Sequence, residues 1–67
     1  MNYTVVIYYD DIDKIYVASI PDLPGCMAHG NSQLDALHEL LIARELWIEE
    51  AEEMGKEIPT PTRYLSA

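Results

Sequence analysis

The stretch "NSQLDALHELLIARELWIEEAEEMG", residues 31 to 55, holds no proline and no glycine before its last position. No other segment limits the possible folds so sharply, because it spells one long helix. Ser32 and Asp35 stand in the spacing of a capping box, in which the hydroxyl accepts from the backbone N–H three residues on. An aspartate in the first turn also complements the positive helix end. Gly55 is placed to stop the helix, since it adopts the left-handed backbone that ends many helices.

On a helix advancing about 100° per residue, Ala36, Leu37, Leu40, Ala43, Trp47, Ala51 and Met54 share a face, predicted to cover a sheet. Asp35, His38, Glu45, Glu49 and Glu52 form an acidic stripe opposite. Ile42 and Leu46 interrupt the polar side at i, i+4 spacing, an exposed apolar pair that hints at a contact surface.

Before Gly30 the pattern is that of strands. "YTVVIYY" (3 to 9) is rich in β-branched and aromatic residues, with Tyr3, Val5, Ile7 and Tyr9 on one side and Thr4, Val6 and Tyr8 on the other. Both of its faces are apolar. "DDIDK" (10 to 14) is read as a hairpin loop, because short acidic side chains accept from their own backbone in turns. Three aspartates here raise a calcium site, yet the glycine and terminal glutamate of an EF-hand loop are missing, so no metal is expected.

"IYVASI" (15 to 20) is the second strand, with Tyr16, Ala18 and Ile20 on one side and Ile15, Val17 and Ser19 on the other. In "PDLPG" the two prolines cannot donate to a ladder and Gly25 accepts a positive φ, so the segment turns the chain into a short third strand, "CMAHG". The tail, "KEIPTPTRYLSA", is broken by prolines and ends in a possible fourth strand at Arg63 to Leu65. The expected fold is a single α+β domain over residues 1 to 67, with a three-stranded antiparallel sheet packed by one helix. One helix covers one face only, so the second face of the sheet is expected to be buried in an oligomer or complex.

Charge and chemistry narrow the function. Twelve acidic residues against four basic ones give a net charge of −8, which repels nucleic acid and suits a basic partner. A single cysteine rules out an internal disulfide or a cysteine-based zinc cluster, and no signal-like or membrane-length apolar run occurs, so a cytoplasmic protein is expected. Cys26 is read as a small buried hydrophobe, and an alternating strand sets it on the face opposite His29. His29 and His38 are read as surface or satisfied groups. No phosphate loop, nucleophile elbow or metalloprotease motif is present, so no enzyme activity and no cofactor are expected.

One resemblance ties these elements together. The order Y-x-A-x-x-P-D-L-P-G-C (Tyr16, Ala18, Pro21 to Cys26), then Gly30, the capped "NSQLDAL" and the late G-x-x-I-P-x-P (Gly55, Ile58, Pro59, Pro61) resembles the HicB antitoxin family. The likeness spans nearly the whole chain. It implies a partial RNase H-like fold without catalysis and a partner, the HicA toxin, a small basic protein that cleaves mRNA with a histidine. The chain departs from the family in its glycine-free first hairpin and in Arg44, whose stem is expected to pack while its charge reaches a rim. Full HicB antitoxins usually continue into an operator-binding domain, so a short form that does not bind nucleic acid directly is expected.

The leading expectation is thus an antitoxin-type binding module that neutralises a HicA-like toxin. The alternative is an orphan oligomeric module of the same fold with a structural or regulatory role. Expected partner contacts are Asp10, Asp11 and Asp13 for charge, Asp22, Leu23, Pro24, Gly25 and Cys26 for shape, and the apolar pair Ile42 and Leu46. A dimer or tetramer is expected, with no membrane association.

Overall fold

The computed structural model describes residues 2 to 62. β1 (Val6–Asp10), β2 (Ile15–Ser19) and β3 (Met27–Gly30) form an antiparallel sheet in the order β1-β2-β3, and α1 (Gln33–Glu53) follows. Among the described residues the fold is α+β, three strands and one helix, as the change of period at Gly30 predicts. The strand expected at 63 to 65 lies outside the described residues.

The register sorts the two faces. Ile7, Ala18 and Ala28 stand in one cross-strand row and Tyr9, Tyr16 and Gly30 in the next. These rows face α1, whose Ala36 and Leu40 join Ala18, Ile20, Leu23, Cys26 and Ala28 in the core. Ile20, Leu23 and Leu40 are the largest fully buried side chains, each worth about 1.5–3 kcal/mol of apolar transfer. Alanine recurs at 18, 28 and 36 because the helix backbone lies close to the sheet. At Gly30 the approach is closest: a Cβ there would stand 2.3 Å from the Ala36 nitrogen.

Both helix ends follow their sequence signals. The Ser32 hydroxyl accepts from the Asp35 N–H at 3.0 Å. At the other end the Gly55 N–H bonds to the Glu52 carbonyl and the Lys56 N–H to the Ala51 carbonyl at 2.8 Å, with Gly55 at φ 68°. That pair of bonds is the Schellman arrangement.

Four strand boundaries and one face differ from expectation, one of them the end of β1, which takes in Asp10 from the expected loop. β1 starts at Val6 rather than Tyr3; Tyr3 is instead buried, and its hydroxyl donates to the Pro59 carbonyl, 56 positions away. β2 ends at Ser19 and β3 begins at Met27, because Ile20 and Cys26 leave the ladder to close the turn between them. Met54, assigned to the inner face by its spacing, is the C-cap and is 59% exposed. Ile48 packs on the core in its place, and Arg44 is half-buried, as a packed stem requires.

Candidate functional site

The "PDLPGC" segment is two successive turns. The Leu23 N–H bonds to the Ile20 carbonyl at 3.1 Å and the Cys26 N–H to the Leu23 carbonyl at 2.9 Å, each turn having proline second. Gly25, at φ 82°, supplies the left-handed position of the second turn. Leu23 and Cys26 point into the core, 1% and 4% exposed, while Pro24 and Gly25 stay at the surface. Trp47 Nε1 donates to the Pro24 carbonyl at 2.9 Å, and the Asp22 carboxylate accepts from both the Thr62 N–H and the Thr62 hydroxyl. Those two bonds hold the Asp22 carboxyl below its ordinary range.

At the far end of the sheet, the Asp10 Oδ1 accepts from the Ile12 and Asp13 N–H groups, and Lys14 takes φ 56° to close a loop over residues 11 to 14. Asp11 and Asp13 are exposed, and Ile12 stands at the tip with 88% of its surface in solvent. Among the described residues no group of three or more histidine, cysteine, aspartate or glutamate residues is arranged to hold a metal.

The sheet face away from α1 is uncovered among the described residues. Val6, Ser19 and Met27 form one row there, and Tyr8, Val17 and His29 the next. Val17, between Tyr8 and His29 in its row, is 4% exposed, whereas Val6, Tyr8 and Met27 are roughly half exposed. The sole carboxylate in these rows' continuation is Asp10, paired with Ile15 at the hairpin end.

A groove of about 620 Å³ runs between β3 and the flank of α1. Ala28, Ala43, Ile42 and Leu46 give it an apolar wall, and Asp35, Glu39, His29 and His38 give it polar groups, with no lysine or arginine among the described lining residues. β3 pairs with β2 on one side, and no described strand pairs on the other. Cys26 is remote from this wall in kind: it is buried in the core, and burial pushes its thiol up despite the opposing charge of Arg44.

Comparison with known proteins decides the family. The model of the HicB-like antitoxins of bacterial toxin–antitoxin systems matches residues 3–66. The chain belongs to the HicB-like antitoxin family. It is 40% identical over 60 residues to UPF0150 protein ssl0259 of Synechocystis sp., covering 90% of this chain and 81% of that protein. It is 37% identical over 59 residues to UPF0150 protein Ta0767 of Thermoplasma acidophilum, covering 88% and 84%. No solved structure matches it significantly.

Against this family background, the expected contact residues separate into groups. Asp10, Asp11 and Asp13 gather on one exposed hairpin, and Ile42 and Leu46 are 46% and 60% exposed on one helix flank. Asp22, Pro24 and Gly25 lie on the rim of the double turn, but Leu23 and Cys26 are core residues that shape it from within. Sequence reasoning missed Ile12 at the hairpin tip and the groove between β3 and α1 that both His29 and His38 border. The i, i+4 pair at 42 and 46 was the only signal pointing there. No helix among the described residues is long and apolar enough to cross a membrane.

Proposed function

We propose that this antitoxin-family chain neutralises a small basic HicA-like toxin, an mRNA-cleaving nuclease, by binding it and covering its active surface, with no reaction of its own. Family membership carries the reading. The charge supports it: a surface at −8 repels the RNA that the toxin attacks and attracts the toxin itself, which speeds encounter and suppresses wrong partners. The exposed hairpin carboxylates of Asp11 and Asp13 supply field around the apolar tip of Ile12, and Asp22, Pro24 and Gly25 offer a rigid rim. On this reading the chain works in the cytoplasm, where its partner meets mRNA.

The test is growth rescue. A bacterial host expressing a HicA-like toxin from the same genome resumes growth when this chain is induced, and reversing charge with Asp11→Lys and Asp13→Lys together weakens rescue. Arrest that persists at matched antitoxin levels contradicts the proposal.

A second element concerns self-association, favoured by the open sheet face. Two chains at −8 repel, so copies meet where charge is absent, and the rows Val6–Ser19–Met27 and Tyr8–Val17–His29 carry no lysine, arginine or carboxylate. Sedimentation at micromolar concentration then shows an oligomer that Tyr8→Lys converts to monomer. A wild-type monomer contradicts this element and leaves neutralisation standing.

A further inference from the structure

The groove between β3 and α1 combines an open strand edge with an apolar and an acidic stretch of helix flank. Its floor is an edge strand whose outward backbone groups meet no described strand. One wall is apolar, and the charged groups that line it are Asp35 and Glu39. Edge strands with unpaired N–H and C=O groups are templates for another strand, and proteins that do not use them keep them very short or blunt them with lysine, proline, a bulge or a covering segment. β3, "MAHG", carries no lysine or proline.

The dimensions suit a short extended segment. β3 spans about 13 Å at roughly 3.3 Å per residue, and the helix from Asp35 to Leu46 rises about 16 Å at 1.5 Å per residue. Along that rise come two acidic residues at i, i+4, then two apolar residues at i, i+4: Asp35 and Glu39, Ile42 and Leu46. A strand added beside β3 points alternate side chains under the helix flank at about 6.6 Å intervals. Consecutive inward residues therefore meet the acidic part and then the apolar part.

We propose that this groove binds an extended segment of a partner protein by strand addition to β3, and that the segment's inward-facing side chains, at every second position, are first basic and then apolar. The partner is the neutralised toxin, so this assignment rests on the antitoxin reading. Charge selects it over a second copy of this chain, which would add another acidic helix flank to a seam whose described residues include no lysine or arginine. Backbone pairing gives affinity in this mode and the alternating side chains give specificity.

The test uses the full ¹⁵N-labelled chain and two blocked peptides, Lys-Thr-Val-Thr-Val and Glu-Thr-Val-Thr-Val, followed by amide NMR at low salt. Binding of the basic peptide is expected to shift amides at 28 to 31 and 35 to 46 and to slow hydrogen exchange in β3. Leu46→Lys, at a 60% exposed position that leaves the core intact, weakens it at least tenfold. Equal binding of the acidic peptide, shifts confined to the hairpin at 10 to 14, or no binding at millimolar peptide overturns the proposal. So does β3 protection that appears with protein concentration alone, which makes a second copy the occupant. Growth rescue is scored in parallel: rescue that survives Leu46→Lys beside a silent groove overturns the groove and spares neutralisation. Peptide binding in a chain that fails to rescue supports the groove and removes neutralisation.

Discussion

Replacing Gly30 by alanine tests how the helix is seated on the sheet. The new Cβ would lie 2.3 Å from the Ala36 nitrogen, 2.7 Å from the Asp35 carbonyl carbon and 2.8 Å from the Asp35 Cβ. Ordinary contact begins near 3.4 Å, so the first turn of α1 must retreat by about 1 Å, and two of the three opposing atoms are backbone. Overpacking of this kind costs about 1–3 kcal/mol and sometimes more; with backbone in the way, the upper figure of about 3 kcal/mol is expected. A domain of 67 residues has only about 3–10 kcal/mol in total, so the loss is a large share. Gly25→Ala is the control, since at φ 82° with nothing within 4 Å it bears backbone strain alone, about 1–2 kcal/mol. Urea unfolding followed by circular dichroism measures both, and with a slope near 1 kcal/mol/M the Gly30 variant shifts the midpoint by about 3 M. A Gly30→Ala loss no greater than that of Gly25→Ala refutes the close seating of α1 on β3.

Three further outcomes are expected. Leu40→Ala, at a fully buried position, lowers stability by about 2–5 kcal/mol in the same urea assay. The Asp22 tether to Thr62 has a pH dependence of definite sign: its folded pKa is depressed below 3.8, so the tether is complete above that pH and is lost as pH falls through the folded value. The Thr62 amide resonance should report this with a midpoint under 3.8, and a midpoint at or above it removes the two hydrogen bonds from the account. Cys26 should react slowly with iodoacetamide at neutral pH and quickly in denaturant, because burial raises its thiol pKa and blocks access.

The parts of the fold that were legible in the sequence are those set by local chemistry. Ser32 caps and Gly55 stops the helix through bonds within a few residues, and the β-branched runs at Val6 and Ile15 need only their own stereochemistry. Long-range contacts were not legible. Tyr3 leaves the strand pattern because its hydroxyl finds Pro59, and Met54 obeys the helical period yet lies past the last helical turn. The binding surfaces divide in the same way. The acidic hairpin and the Ile42, Leu46 pair were visible as residue types and spacing, whereas the groove exists only because α1 crosses over β3. His29 and His38 both border that groove, and Leu23 and Cys26 point inward because of the two turns that hold them.

Neutralisation itself is tested most directly with purified components. A HicA-like toxin from the same genome cleaves a defined mRNA, and this chain is added in increasing ratio at low and high salt. Cleavage is expected to fall to zero at a fixed stoichiometry, and inhibition to develop more slowly after mixing at high salt because the steering field is screened. Cleavage that continues at excess antitoxin, with no complex at either salt concentration, contradicts neutralisation by binding.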